Sequence, residues 1–548
     1  MLVGHADINS SLSKEAFVVV SPSTWRRWFA GVSLLSAIAF AFEPSVVLVM
    51  PLVAGIIAVT SAAQGIHIRL AGRWIVIAGA ATLAGVALNL PWAGTFIRDG
   101  WWETLTGAPV DGGRNLGLWG LARFTVGGFF ASSLAVALYA AVVGALLLVR
   151  GVRASWALRG ASLVVGGLLL AVLDDSALLP VHLPEPAILL VPVAFGLAMC
   201  AGTMGASLAV DLGRGKISWR QPLGALVGAA FAVGLVAAPL NAVGGSWNQP
   251  TLALPQLLAQ LPGADASGNY RTLFIGDSRV LPGAPLNFGW GISYSVVNGR
   301  TPAIEELWEV PPTRARDNAV FAMYGIVRGQ TSRAGRLLAP LSVRFIVVPV
   351  IDGGQSTRDN PLESPTDLIE ALSRQLDLRR RFASPDLVVF ENTSWVPVRS
   401  QLTPAGATSS SSAGAESMIA TDIAGATAFP AVTTSNDSST VNVQPGTVHL
   451  GVPYTSRWKL SVDGTSIPVR PAFGLTNGYD VPAAGTATLS FSTSRFHSTL
   501  VVLQVLAWIT VAVLATSRRK FRRRSAPSAP LAASSSEPAL SFTEGAES

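Results

Sequence analysis

The chain has 548 residues, of which 50% are hydrophobic and only 13% are charged, and its mean hydropathy of +0.46 is typical of a polytopic membrane protein. The net charge of +7 and the pI near 10.0 do not indicate nucleic-acid binding, because Lys and Arg cluster at the ends of apolar runs, where they set membrane orientation. The single cysteine, Cys200, excludes an internal disulfide, and the five histidines are too far apart in sequence to show metal-ligand spacing, so no cofactor is expected.

Residues 1–27 are predicted to form a cytoplasmic N-terminal segment. They lack the basic-then-apolar layout of a cleaved signal peptide, and they end at the interfacial sequence Trp25-Arg26-Arg27. Two short apolar runs follow, 29–42 and 45–63, on either side of Glu43 and Pro44. Each is slightly short for a full span. They are either two helices joined by a very tight outer turn or one kinked or re-entrant element.

Five clearer apolar runs complete a predicted seven-helix membrane bundle over residues 28–241. The Lys and Arg content of the connections alternates, since residues 150–159 contain three such residues and residues 174–186 contain none. Because positively charged loops stay in the cytoplasm, this alternation orients the spans. The five predicted spans are 74–90, 129–149, 156–173, 187–210 and 222–241.

A final apolar run, 498–517, is followed at once by Arg518-Arg519-Lys520. This pattern predicts a transmembrane helix that runs from the outside to the cytoplasm of the plasma membrane. Residues 518–548, which are basic and then rich in Ser, Ala and Pro, are predicted to be a disordered cytoplasmic tail. Both termini are therefore expected in the cytoplasm, with residues 242–497 outside.

The predicted exported region has three parts. Residues 242–400 mix strand and helix patterns and indicate an α/β region. Residues 401–445 are rich in Ser, Thr and Ala and predict a flexible linker. Residues 446–497 show period-2 runs and a hairpin signal at Asp463-Gly464, which predict a β-sandwich. The expected fold is a polytopic α-helical membrane protein of about eight spans, with an exported α/β region and a C-terminal β-sandwich between the last two spans.

Candidate site residues lie in the predicted outer loop 91–128. Asp99 and Glu103 flank the indoles of Trp101 and Trp102, and Trp119 follows in the same loop. Aromatic rings stack on the faces of pyranose sugars and carboxylates bind sugar hydroxyls, so this composition suits a sugar site. The alternative is an interfacial amphipathic stretch in which the tryptophans anchor the chain at the membrane surface.

Asp174 and Asp175 form an adjacent acidic pair at the outer end of a predicted span. Two neighbouring carboxylates suit a divalent metal or the recognition of a sugar phosphate. The alternative is a solvated helix end with no ligand. The sequence leaves both interpretations open.

Residues 340–516 contain several short motifs in a fixed order. They are Val343-Arg344-Phe345, Phe390-Glu391-Asn392, Pro397-Val398-Arg399, Trp458 with Val462-Asp463-Gly464, and Val481-Pro482-Ala483-Ala484-Gly485. This order resembles YfhO-type membrane proteins, and the layout resembles the C-terminal half of actinobacterial envelope proteins that carry a family 2 glycosyltransferase domain ahead of their membrane spans. The resemblance implies a membrane and ectodomain half that works with a separately encoded glycosyltransferase domain or derives from a split or truncated protein.

Two departures limit what the resemblance implies. The glycosyltransferase domain of the longer relatives is absent from this sequence. The acidic motif that polyprenyl-phosphate-dependent (GT-C type) transferases carry in the first outer loop has at most Glu43 to represent it.

Three functional hypotheses follow. The first is a membrane protein of cell-envelope glycan or glycolipid assembly without its own catalytic centre. The second is a GT-C-like transferase that uses a polyprenyl-phosphate sugar, with Asp99, Glu103, Asp174 or Asp175 as the base and a divalent metal as an option. The third is a structural or interaction protein of the membrane. The expected partners are membrane lipid, a lipid-linked sugar, an envelope glycan and a separate glycosyltransferase domain, but not nucleic acid.

Overall fold

The computed structural model describes most of the chain. The described residues are 22–96, 101–106, 116–125, 133–209, 219–243, 254–263, 268–289, 292–307, 313–350, 365–384, 386–429 and 439–516. Two parts are distinguishable within them: a set of apolar helices and a lobe of three β-sheets with flanking helices, inserted between the last two long helices.

The helical part begins at residue 22 and contains both long apolar helices and short connecting ones. In chain order they are α1 (Pro22–Phe42), α2 (Val46–Ala63), α3 (Ile68–Leu88), α4 (Trp101–Thr106), α5 (Gly117–Ala122), α6 (Ala140–Leu148), α7 (Val152–Asp175), α8 (Pro186–Leu189), α9 (Val191–Ser207) and α10 (Arg220–Val243). The 3-10 segments Trp92–Phe96 and Ser133–Tyr139 precede α4 and α6.

Five helical stretches of the described chain are long and apolar enough to cross a membrane. They are α2, α3, α7, the joined α8–α9 stretch Pro186–Ser207, and the last helix, Arg495–Thr516. Shorter apolar helices cover Ser133–Leu148 and Arg220–Val236. The chain is therefore a membrane protein with a β-rich region, as predicted, whereas the count of eight spans stays a prediction. α1 and α2 are separate helices on either side of residues 43–45.

Glycine lets the helices of the bundle approach closely. A Cβ added at Gly196 of α9 would lie 2.5 Å from the Gly160 carbonyl oxygen of α7, and a Cβ at Gly85 of α3 would lie 2.8 Å from the Ser36 Cβ of α1. Lipid supplies no hydrophobic drive for helix association, so close backbone packing of this kind contributes much of the stability. The Gly- and Ala-rich composition of the spans thus has a structural role.

Arg159 is buried inside the bundle, near the start of α7. Its Nε donates a hydrogen bond of 2.9 Å to Ser61 Oγ of α2, and its guanidinium lies over the rings of Trp74 and Trp156 at 5.5 and 4.6 Å. Ionisable groups among apolar helices are costly unless they are paired, and the hydroxyl and the two indoles supply that pairing. The end of α2 and the start of α7 therefore meet at one end of the bundle.

The lobe contains a mixed six-stranded sheet that corresponds to the predicted α/β region. Its strand order is β2-β3-β1-β4-β6-β5, with β1 and β4 parallel and the other pairs antiparallel. Leu273 and Ile275 of β1 face one buried cluster and Phe274 faces another, so both faces of the sheet are covered. The strands are β1 (Arg271–Gly276), β2 (Leu286–Gly289), β3 (Ile292–Asn298), β4 (Val343–Pro349), β5 (Leu378–Ala383) and β6 (Leu387–Asn392).

Helices flank this sheet and continue beyond it. They are α11 (Leu254–Leu257), α12 (Arg314–Val327), α13 (Ala334–Leu338), α14 (Thr366–Ser373), α15 (Pro404–Ser410) and α16 (Ala415–Ala420). The stretch 319–327 lies within α12 and is helical. Thr313 caps α12, because its Oγ1 accepts a hydrogen bond from the Arg316 N–H at 3.2 Å.

A β-sandwich of two further sheets follows. One sheet has the order β13-β14-β10-β7-β8 and the other β12-β11-β15-β9. The strands are β7 (Arg399–Gln401), β8 (Thr427–Ala428), β9 (Ser439–Val443), β10 (Gly446–Pro453), β11 (Trp458–Val462), β12 (Thr465–Ile467), β13 (Val469–Ala472), β14 (Thr476–Val481) and β15 (Gly485–Phe491). Three of these strands precede residue 446, so the sandwich starts earlier than predicted. The helix α17 (Arg495–Thr516) follows β15.

The hairpin at Asp463-Gly464 has the predicted turn. Both residues have positive φ, +48° and +81°, as a two-residue I′-type connection requires. The turn joins β11 to β12, and Pro468 separates β12 from β13, because proline has no N–H for the ladder.

The flexible linker predicted over 401–445 is wrong for residues 401–429. This segment forms α15, α16 and β8, and Leu402, Met418 and Ile423 are buried in the same cluster as the α/β sheet. Arg336 Nη1 also donates a hydrogen bond of 2.7 Å to the Ile419 carbonyl oxygen. The Ser- and Ala-rich composition concealed scattered apolar residues that pack against the core of the lobe.

Candidate functional site

The predicted acidic pair lies where α7 ends, and its two members point to different partners. Asp175 Oδ1 accepts a hydrogen bond from the Leu116 N–H at 3.0 Å, and its Oδ2 accepts one from the Gly117 N–H at 2.8 Å. These donors are at the start of α5, where backbone N–H groups have no partner within the helix. Asp175 therefore caps α5, and both of its carboxylate oxygens are engaged in that contact.

Asp174 holds the loop that follows α7. Its Oδ1 accepts a hydrogen bond of 2.8 Å from the Leu183 N–H and lies 3.5 Å from Nδ1 of His182. The Asp174 side chain is only 5% exposed, whereas 28% of the His182 side chain is exposed. The carboxylate thus positions the imidazole, which remains open to a ligand.

Trp102 reaches the same loop from α4. Its indole Nε1 donates a hydrogen bond of 2.8 Å to the His182 carbonyl oxygen. Trp101 packs edge-on against Trp102, with ring centroids 5.4 Å apart, and is half exposed. Two sequence-predicted residues, Trp102 and Asp174, therefore meet through His182, although they are 72 positions apart in the chain.

An aromatic cluster packs α4 and the segment before it against the end of α1. Phe40, near the end of α1, contacts Trp92 and Phe96 with ring centroids 5.6 and 5.7 Å apart, and Leu105 of α4 is buried against the same group. Edge-to-face packing of this type fixes ring orientation as well as burying area. The cluster links α4 to α1 and so brings the turn after α1 into the site.

Two glutamates absent from the predicted site set complete it. Glu43, in the turn after α1, accepts hydrogen bonds from the Ser45 hydroxyl at 2.6 Å and from the Ser45 N–H at 3.2 Å. Glu185 is solvent-accessible on one side, yet desolvation by its surroundings raises its pKa; the Glu43 carboxylate adds to the increase, and His182 opposes it. The two carboxyls are thus electrostatically coupled across the mouth of the bundle.

We name this group of residues the mouth cluster: Glu43, Trp101, Trp102, Asp174, His182 and Glu185. Chemically it offers an exposed indole face, an imidazole and three carboxyls, of which Glu185 holds its proton more tightly than usual. Such a set binds hydroxyl-rich ligands and can accept a proton from one of their hydroxyls.

The other predicted site residues are not brought into this cluster. Asp99 and the side chain of Glu103 lie outside the described part of the structure. Trp119, on α5, is 58% exposed and stacks under Arg123, whose guanidinium lies 5.3 Å from the ring centroid. Trp119 is connected to the mouth cluster only indirectly, because α5 is capped by Asp175, the neighbour of Asp174.

No metal site emerges from the described residues, among which no group of three or more His, Cys, Asp or Glu side chains is placed to hold an ion. Asp175 directs both oxygens, and Asp174 its Oδ1, to backbone N–H groups of different segments.

Sequence signals for the missed residues exist but are faint. Glu43 is the acid between the first two apolar runs, and Glu185 lies between two prolines in a loop without Lys or Arg. His182 is in that same loop. Nothing in the spacing shows that the turn after α1 and the loop after α7 are neighbours, because that proximity comes from helix packing.

No protein-family model and no curated protein sequence match the chain. A solved structure to which it is similar is the cryo-EM structure of the arabinofuranosyltransferase AftD from mycobacteria, with 13% sequence identity and a TM-score of 0.23. The alignment covers 86% of this chain and 47% of that one, so the chain spans about half the length of the protein that it matches. A similarity of this size carries no argument about activity, and the resemblance to YfhO-type proteins stays an expectation.

Proposed function

We propose that this chain is a plasma-membrane protein of cell-envelope glycan or glycolipid assembly and that the mouth cluster holds the sugar of a lipid-linked substrate. The observation that carries the proposal is convergence: the turn after α1, α4 and the loop after α7 all contribute side chains to one place. An exposed indole supplies a stacking surface and carboxyls supply hydroxyl acceptors. The apolar helices beside them would accommodate a lipid chain.

In this proposal the mouth faces outward, both termini are cytoplasmic and residues 242–497 lie outside, as the Lys and Arg distribution predicts. The lobe would then stand over the mouth, in reach of an envelope glycan. A separately encoded glycosyltransferase domain would supply the catalysis on this account.

A second candidate is a transferase with its own base, and Glu185 specifically favours it. A carboxyl with a raised pKa, next to another carboxyl and an imidazole, is the usual setting of a general acid or base. Glu185 would accept the proton of the acceptor hydroxyl. Asp175 is a poor candidate for that role because backbone N–H groups occupy both of its oxygens, and Asp174 is a poor candidate because its side chain is only 5% exposed and its Oδ1 holds the Leu183 N–H.

The test uses the purified full chain in lipid nanodiscs with a short synthetic polyprenyl-phosphate sugar. Binding is measured by the quenching of indole fluorescence, and transfer is measured with an added oligosaccharide acceptor. We expect saturable binding that weakens about tenfold in Trp101→Ala and in Glu185→Gln. The matched control is Glu370→Gln, which removes an exposed carboxylate from α14, far from the mouth cluster in the chain.

The two candidates give different results in the transfer arm. A substrate-holding protein binds the lipid-linked sugar and transfers nothing by itself, whereas a transferase turns over and loses about 100-fold or more in Glu185→Gln. Absence of saturable binding by the unmodified chain would overturn both.

A further inference from the structure

A cavity of about 250 Å³ lies in the lobe, away from the mouth cluster. It is bounded by β1, β2 and β3 of the mixed sheet, by the first turns of α12, and by Leu341 and Pro453 from the neighbouring segments. Its size is just below the roughly 300–1,000 Å³ of sites for drug-sized ligands, so a smaller molecule would fill it. Apolar side chains such as Leu286, Val296 and Ala319 form much of the wall.

Arg271 is the principal polar group of the cavity. Its Nε donates to Asn298 Oδ1 at 3.2 Å, and its Nη1 donates to the carbonyl oxygens of Leu341, at 2.8 Å, and Gly451. These three contacts fix the plane of the guanidinium. Among the described residues, none accepts a hydrogen bond from Nη2, which leaves two N–H donors of a rigidly held cation for the cavity.

Glu306, which also lines the cavity, does not take up the donors of Arg271 Nη2. Glu306 is occupied: Oε1 accepts hydrogen bonds from the Asn298 N–H and side-chain amide at 2.8 and 2.6 Å, and Oε2 accepts one from the Ala303 N–H at 3.0 Å. Arg316, in the first turn of α12, lines the same cavity. The Glu306 carboxylate attracts the Arg271 cation but, among the described contacts, accepts no hydrogen bond from it, so the two N–H donors of Nη2 stay directed to the cavity.

Burial lowers the pKa of Arg271 to about 10, against an opposing contribution from Glu306. The guanidinium is still charged at neutral pH. A desolvated cation of this kind gains more from pairing with an anion than an exposed one does, because the local dielectric constant is lower.

We infer that this cavity binds a small organic anion, whose phosphate or carboxylate pairs with Nη2 of Arg271 while its remainder contacts the apolar wall. The inference does not rest on the function proposed for the mouth cluster, since it depends on different residues in a different part of the chain. Arg271 also joins the mixed sheet to β10 through the Gly451 carbonyl oxygen, but that contact uses Nη1 and leaves Nη2 for the cavity.

The experiment measures binding to the purified full chain in nanodiscs by isothermal titration, with four separate probes. Inorganic phosphate, glucose 1-phosphate and glucuronate carry the anion, and neutral glucose does not. We expect saturable binding of at least one anionic sugar and none of glucose; the preference between glucose 1-phosphate and glucuronate distinguishes a phosphate from a carboxylate ligand. Inorganic phosphate alone should bind more weakly, because it lacks the part that contacts the wall.

Three variants and a control locate the binding. Ala284→Phe fills the cavity from its rim and should abolish binding, and Arg316→Gln should weaken it. Arg271→Lys keeps the charge but loses the planar fork, so affinity should fall about tenfold. Arg374→Gln, which removes an exposed arginine of α14, should leave the affinity unchanged.

Binding that survives Ala284→Phe unchanged, or no saturable binding of any anionic probe up to about 10 mM, would overturn the inference. Thermal melting of each variant checks that it is folded. If Arg271→Lys fails to fold, Ala284→Phe still decides the question, because it leaves every contact of Arg271 in place.

Discussion

The indole Nε1 of Trp102 and the carbonyl oxygen of His182 are joined by a hydrogen bond of 2.8 Å. This bond ties α4 to the loop that follows α7, and Asp174 holds the same loop from its other side. The orientation of His182 thus depends on residues from two segments that are distant in sequence.

Replacing Trp102 with Phe should loosen the loop after α7. Phenylalanine keeps the ring packing but has no N–H, so the His182 carbonyl loses its partner at a cost of about 1 kcal/mol. We expect faster amide hydrogen exchange over residues 176–185, measured by mass spectrometry in nanodiscs. Trp101→Phe is the matched control, and equal exchange in the two variants would contradict the role assigned to Trp102.

Asp175→Ala should destabilise the chain without acting on ligand binding. The substitution removes both acceptors at the start of α5, and the loss of a helix N-cap costs about 0.5–2 kcal/mol. We expect a lower melting temperature and an unchanged affinity for the lipid-linked sugar. Asp367→Ala, at an exposed position in the first turn of α14, should change neither property. A selective loss of binding in Asp175→Ala would show that the aspartate contacts the ligand.

Glu185 should titrate above the usual range of a glutamic acid, and its neighbours should move its pKa in opposite directions. Desolvation and the Glu43 carboxylate raise this pKa, and His182 lowers it. Glu43→Gln should therefore lower the pKa of Glu185, and His182→Ala should raise it. Infrared difference spectroscopy of the carboxyl band across a pH series measures these shifts.

The same shift predicts the sign of a pH effect on stability. A carboxyl whose folded pKa is raised above its unfolded value stabilises the fold when both states are protonated. That contribution is lost as the pH rises from the unfolded pKa, 4.5, through the folded value. Glu185→Gln should therefore flatten the decrease of the melting temperature over this pH interval. A steeper decrease in the variant would contradict the assignment.

Asn392 should be among the most sensitive positions of the lobe. It is fully buried, its Nδ2 donates to the carbonyl oxygens of Gly335 and Val343 at 2.8 and 2.9 Å, and its Oδ1 accepts from the Ser394 N–H at 3.0 Å. Asn392→Ala leaves these groups buried without partners, which costs about 1–3 kcal/mol for each unsatisfied group.

We expect Asn392→Ala to lower the melting temperature of the lobe strongly or to prevent folding, as followed by circular dichroism. Asn442→Ala, at an exposed position of β9, is the control and should have little effect. A small effect at Asn392 would mean that the Phe390-Glu391-Asn392 motif serves another purpose than joining β6 to α13 and β4.

Much of the secondary structure could be predicted from sequence because it depends on local patterns. Predicted apolar runs coincide with α2, α3, α7 and α17, and Asp463-Gly464 gave the correct hairpin. The prediction failed over residues 401–429, where composition indicated a flexible segment but scattered apolar side chains, Leu402, Met418 and Ile423 among them, pack against the lobe. Apolar residues scattered in this way follow neither the helix period nor the strand period, so a sequence pattern does not reveal them.

The sequence by itself determined that this is a membrane protein with a large β-rich insertion, because hydrophobic length and turn chemistry are local properties of the chain. Only the tertiary structure decided which charged residues form a site. It assigned Asp175 to a helix cap, brought Glu185 within electrostatic reach of Glu43, and left one edge of Arg271 facing a cavity. Whether a carboxylate or a guanidinium is free to meet a ligand depends on which distant backbone groups reach it first, and helix and sheet packing set those distances.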